Sequence, residues 1–388
     1  MPPPGAARAP TSERTEDDLG EDSGGIARPE VVEARLIDDR RIELCWNEQV
    51  VHADDERYFS VTKDGCELAL FHWTSDLPWN YGTCYQKETC CTTLALAEPV
   101  DTACASELRV RVVREVHDLL GRAADYGRTY ALAYRPHYTS FLRSESGILI
   151  KGSKVVQPYS LEVAAKICDL MLEKHPEIGD KLVERGCEVA VFGLEYDAYD
   201  VPEHRMGYWL ATRHVAGFGG DAEVPTTSIS EANLIRLRSG RYATAYPHEM
   251  VLVHEFGHAV HLVGINFLDD QTLAGQVRDA YRHAVDEGLW HDSYAISNYE
   301  EYFATLSTIW FDVMQEGVDG RWDGIRGPVN TREELEEYDP VGFRLMAAVY
   351  PAKFLPRPWR WNQDRYDVSG RPRAYDLDTK FDWDFIGR

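Results

Sequence analysis

From Val31 the chain alternates apolar and polar residues with a period of two. Ile42, Leu44 and Trp46 interleave with Glu43, Cys45 and Asn47. Phe59 and Val61 lead into Asp64-Gly65, a dipeptide that turns hairpins, and Leu68 and Leu70 follow. Leu108, Val110 and Val112 alternate with Arg109 and Arg111, and residues 129–134 (TYALAY) read as a closing strand. About 100 residues of short period-two strands separated by turn signals predict an all-β sandwich. The period changes near residue 155. Ser160 can cap a helix carrying Val163, Ala164, Ile167, Leu170 and Met171 on one face, stopped before Pro176. Residues 187–192 form a compact apolar strand, and GFGG at 217–220 reads as a turn. Helices are expected over 248–263, 273–287, 298–315, 332–338 and 341–350. Thr331-x-x-Glu334 is a capping box, and Pro340 separates the last two. This second region reads as an α+β domain.

The flanks differ from both. Residues 1–29 are rich in Pro, Gly, Ser and acids and read as a disordered acidic tail. The expected plan is a tail over 1–29, a β-sandwich over 30–136, an α+β domain over 137–356 and a polar C-terminal extension over 357–388. Charge narrows the partners. With 65 acidic and 41 basic residues the net charge is -24. That argues against nucleic acid and anionic lipid, both of which need clustered Lys and Arg. No apolar run approaches the ~20 residues of a membrane span. Oligomeric state leaves no mark in the sequence. Six of the eight cysteines (45, 66, 84, 90, 91 and 104) lie in the β region. That density predicts a disulfide framework and an oxidising, extracellular location, although the N-terminus lacks a signal peptide's apolar core, which implies a trimmed form. Structural zinc and free buried thiols are the rival readings, and pairing is not readable. Cys168 and Cys187 flank one helix–strand unit and could bridge it.

The chemistry concentrates in MVLVHEFGHAVHLVG. His254 and His258 stand four apart, so they share one face of a helix, with Glu255 beside them. Two neutral imidazoles can hold one metal ion while the carboxylate takes a proton from water activated there. Gly257 permits close approach of another element. His261, one turn on, reads as a solvated or satisfied helix histidine. A catalytic zinc site wants a third protein ligand. Glu301, in SNYEEYF, sits in a helix's first turn among bulky aromatics, where a carboxylate needs a strong partner. Glu300 competes for that role. An Asn298-x-x-Glu301 capping box would instead spend the Glu301 carboxylate on backbone.

These motifs resemble known families. HEFGH followed some forty residues later by YAxxNxxE resembles the gluzincin metallopeptidases similar to anthrax lethal factor. The resemblance implies one zinc ion held by His254, His258 and Glu301. It also implies Tyr294 as a group that stabilises the tetrahedral intermediate. Ordered segments from 155 to 350 are similar to secreted zincin-like proteins of fungi and invertebrates, including a conidiation-specific type. The N-terminal run resembles bacterial immunoglobulin-like modules that precede catalytic domains. The implied architecture is an α+β zincin-like metallopeptidase domain preceded by an all-β immunoglobulin-like sandwich. One departure stands out: where the motif usually continues Ala-Glu, Ala304 is followed by Thr305. The missing carboxylate would orient a zinc-bound histidine.

The expected function is zinc-dependent hydrolysis of a peptide or protein substrate, with Glu255 as general base. A non-catalytic zinc protein and a metal-dependent enzyme acting on a small molecule are the alternatives. Residues 187–192 are the expected edge for an extended substrate.

Overall fold

A computed structural model describes residues 28–51, 53, 56–70, 88–118, 120–124, 126–204 and 215–359. Most of the expected acidic tail and of the C-terminal extension lies outside the described residues, as does Cys84.

The N-terminal region is two sheets around one core. Its strands in chain order are β1 (Val31–Leu36), β2 (Arg41–Val51), β3 (Phe59–Lys63), β4 (Cys66–Leu68), β5 (Glu88–Ala95), β6 (Leu108–Val112), β7 (His117–Asp118), β8 (Thr129–Ala131) and β9 (Ala133–Tyr134). One sheet runs β5-β2-β1-β9 with β7 on β2, and the other runs β4-β3-β6-β8. Leu36, Ile42 and Leu44 of the first sheet meet Val61, Leu108 and Val110 of the second, all buried. Full burial of each such side chain contributes roughly 1.5–3 kcal/mol. The Asp64-Gly65 turn joins β3 to β4 with φ of 49° and 80°, the left-handed pair that a two-residue hairpin demands. Residues 129–134 do not form one strand. The chain changes sheets at buried Leu132, so β8 pairs with β6 and β9 with β1.

The second region is mixed α/β. Strands β10 (Ser140–Arg143), β11 (Leu149–Gly152), β12 (Glu188–Phe192), β13 (Gly217–Phe218) and β14 (Thr226–Ser230) form a sheet ordered β10-β11-β12-β14-β13. β11, β12 and β14 are parallel, and β10 and β13 run antiparallel at the two edges. The helices are α1 (Pro158–Leu172), α2 (Pro176–Glu184), α3 (Glu231–Leu234), α4 (Val251–Ala259), α5 (Thr272–Asp286), α6 (Tyr299–Trp310), α7 (Arg332–Tyr338) and α8 (Pro340–Val349). α1 stops before Pro176, as its pattern predicts. Pro176 opens α2 at its first position, where the missing N–H costs nothing. Thr331 and Glu334 close the expected capping box reciprocally, and Asp339 caps α8 through the Gly342 amide at 2.8 Å. None of the helices among the described residues is long and apolar enough to cross a membrane.

A buried ionic knot joins the two regions. Glu203 takes Arg41 of β2 at 2.9 Å, Lys151 of β11 at 2.8 Å and the Tyr138 hydroxyl at 2.5 Å. Burial opposes the Glu203 charge, but the two cations and Tyr138 hold its carboxyl well below the ordinary range. A buried carboxylate with three donors is satisfied, whereas removing one cation would leave charge uncompensated.

Candidate metal centre

Helix α4 carries the HExxH residues, and its position is fixed from both sides. Asn233 accepts from the Val251 amide at 3.0 Å and donates to the Glu249 carbonyl at 2.9 Å, so a side chain serves the helix's first free N–H. The Met250 amide reaches the Val313 carbonyl at 3.0 Å. Along its length α4 lies against α6. A Cβ added at Gly257 would come 3.2 Å from Ser307 Oγ and 3.4 Å from Ala304 Cα, so the glycine expected to admit a close neighbour does so. The helix ends sooner than its periodicity predicts. Val260–Gly264 winds into a π-turn. His261 falls in that turn, and the expectation of a solvated or satisfied ring is corrected. It is buried against Phe303 and Tyr299, its Nδ1 meets no partner among the described residues, and burial lowers its pKa to about 3.

Helix α6 supplies the third group. Asn298 accepts from the Glu301 amide at 2.7 Å and so caps α6. The box is half made, because the Glu301 carboxylate turns to the histidines instead. Glu301 Oε2 lies 3.0 Å from His254 Nε2 and 3.5 Å from His258 Nε2, and the two Nε2 atoms are 3.3 Å apart. Glu300 is not in this group. Tyr294 is half-exposed, and its hydroxyl donates to the other Glu301 oxygen at 3.1 Å. Its backbone amide is held by the Ile325 carbonyl at 2.9 Å, on the loop whose Arg326 pairs with Glu249 at 2.6 Å.

The donor set fits a tetrahedral cation. With bonds of 2.0–2.1 Å, ligand atoms around zinc are spaced about 3.3 Å apart. The three spacings here bracket that value, and three ligands leave one position open, as catalytic sites do. The electrostatics make the cluster one that draws positive charge, which a cation would supply by displacing the His254 proton. Burial alone would lower the His254 pKa, but the Glu301 hydrogen bond and the charges of Glu255, Glu301 and Glu249 carry it up to about 9. Burial works against the Glu301 charge, yet both histidines hold its carboxyl far below the usual range. Glu255 is pushed up by burial, opposed by the two histidines. It makes no hydrogen bond or salt bridge among the described residues, so its carboxylate is untied beside the cluster. The Nδ1 atoms of His254 and His258 likewise find no acceptor among those residues.

The sheet edge presses on this cluster. A Cβ at Gly219 would sit 2.6 Å from His258 Cβ and Cδ2, and one at Gly217 would sit 3.0 Å from Glu255 Cγ. Residues 217–220 are therefore not a plain turn. Gly217–Phe218 is β13, with glycines where the backbone passes the ligand helix. The 187–192 segment is corrected as well: β12 lies between β11 and β14, so it offers no free edge.

No family model and no curated protein matches the chain. Solved structures of the bacterial S-layer protein SbsC share a local likeness at 16% identity and a TM-score of 0.22. The alignment to rSbsC(31-844) covers 31% of this chain and 16% of that one. The alignment to the N-terminal part of SbsC covers 32% and 27%. A superposition that poor says nothing about a common fold or role.

Proposed function

We propose that the chain is a secreted zinc-dependent metallopeptidase, with a zincin-like domain behind an immunoglobulin-like sandwich. The observation that carries this reading is the convergence of His254, His258 and Glu301 at tetrahedral spacings beside an untied Glu255. A zinc ion held by these three residues would lower the pKa of water towards about 7 and polarise a carbonyl. Glu255 takes the proton as water attacks the peptide carbonyl and returns it to the leaving nitrogen. A carboxyl lifted by burial suits both halves of that transfer. The Tyr294 hydroxyl, aimed at the cluster, donates to the oxygen that gains charge. β13 is an edge strand among the described residues, so its outer backbone groups suit an extended peptide better than a compact small molecule.

A second reading has its own support. The absent acceptors on His254 and His258 and the Thr305 departure favour a zinc protein with weak turnover or none. Metal analysis coupled to an unbiased peptide-library digest separates the two. The peptidase reading expects one zinc per chain and cleavage that stops with chelator. The Glu255→Gln variant should retain zinc and lose turnover. Full activity in that variant, or cleavage indifferent to chelator, would sink it.

A further inference from the structure

The β-sandwich holds a second reactive cluster. Cys45 of β2 and Cys91 of β5 are directly opposed on antiparallel strands. Opposed residues in such a pair have Cα atoms about 4.5–5.5 Å apart, inside the 4.4–6.8 Å that a disulfide spans. Their sulfurs are 3.5 Å apart, and each needs to move by only ~0.7 Å to reach bonding distance. The position also matters. The β2–β5 register breaks between Cys45 and Val50, so the pair is the last regular rung before the ladder slips.

Glu43 completes a three-residue group with the two sulfurs, which raises the question of a metal. Its carboxylate is already committed. Arg35 donates to Glu43 Oε1 through Nε at 2.7 Å and through Nη2, and the Cys45 thiol faces the same oxygen at 3.8 Å. A cation would have to displace a guanidinium from a buried carboxylate, whereas joining the sulfurs disturbs neither group.

We propose that Cys45 and Cys91 form a cross-strand disulfide, closed by exchange with a low-molecular-weight disulfide such as oxidised glutathione. One cysteine, as thiolate, attacks a glutathione sulfur and releases one glutathione thiol. The second cysteine then attacks the mixed disulfide and releases the other. Two protons leave the cysteines, and the two electrons reduce glutathione disulfide to two thiols. The bond locks β5 to β2 and closes the chain between residues 45 and 91.

The test uses the full chain. It is incubated with oxidised glutathione, alkylated with iodoacetamide and digested without reduction. The linked peptides are then mapped by fragmentation. The expected product joins Cys45 to Cys91. Reduction should lower the melting temperature of the sandwich by at least about 10 °C. The C90S variant should keep the linkage and C91S should lose it. Cys45 fully alkylated after oxidation would overturn the proposal. So would linkage of Cys45 to Cys84, Cys90 or Cys104. A zinc ion released from this pair by a thiol reagent, with no disulfide formed, would overturn it too.

Discussion

Gly219→Ala is the sharpest perturbation of the proposed metal centre that changes none of its proposed ligand residues. The added methyl would lie 2.6 Å from His258 Cβ and Cδ2 and 2.8 Å from Cγ. Ordinary carbon contacts begin at about 3.5 Å, so the ring or the backbone must yield by ~0.9 Å. Metal sites tolerate deviations of about 0.2 Å in ligand distance. A displaced His258 therefore cannot hold the metal jointly with His254 and Glu301. Zinc affinity should fall by roughly a hundredfold, about 3 kcal/mol. The control is Gly275→Ala in α5. No atom lies within 4 Å of its added Cβ, and alanine is the better helix former by about 1 kcal/mol. That variant should bind zinc like the parent and melt slightly higher. Competition against a chromophoric chelator reads both, with circular dichroism to check folding. Wild-type zinc affinity in a folded Gly219→Ala protein would refute the idea that the backbone just after β13 braces His258.

Two further outcomes follow from the same geometry. Tyr294→Phe should lower kcat by about a hundredfold with zinc content unchanged, since the hydroxyl is assigned to the developing charge; loss of zinc would contradict that role. His204 is buried, and burial lowers its pKa to about 4, below the unfolded 6.5. The unfolded chain then binds more protons between those values, so stability present above pH 6.5 falls by roughly 3 kcal/mol as pH drops through 4. His204→Phe keeps the ring packing against Phe218 and should flatten that slope in urea titrations at pH 7 and 4.5. An unchanged slope would assign the acid sensitivity elsewhere.

Sequence patterns reached the parts of the molecule whose physics is local. The i,i+4 histidines, the Asp64-Gly65 turn, the Thr331 capping box and Gly257 each act within a few residues or on one helix face. What escaped depends on neighbours distant in sequence. β14 is buried at every position, so TTSIS shows no alternation to read. β13 is two residues long and is defined only by its partner. The Asn233 side chain serves α4 from seventeen residues before Met250. Glu203 looks like an ordinary surface acid until Arg41, Lys151 and Tyr138 are brought around it. The same limit explains the 187–192 segment, because an apolar run announces a strand but not whether it lies at an edge.

Thr305 is where sequence and structure meet most usefully. It lies one helical turn past Glu301 on α6, on the same face, and is buried. A carboxylate there would approach the ligand histidines, whose Nδ1 atoms lack acceptors among the described residues. Such an acceptor fixes the ring and raises its basicity, and removing one costs 10–100-fold in metal affinity. Thr305→Glu should run that effect in reverse, with zinc binding about tenfold tighter, or 1.4 kcal/mol. The metal-free variant should melt lower than the parent, because an extra buried carboxylate without the ion lacks full compensation. Zinc should restore more stability to it than to the parent. Thr305→Gln offers an acceptor without the charge and should gain less. If folded Thr305→Glu binds zinc no better than the parent, residue 305 does not orient these histidines.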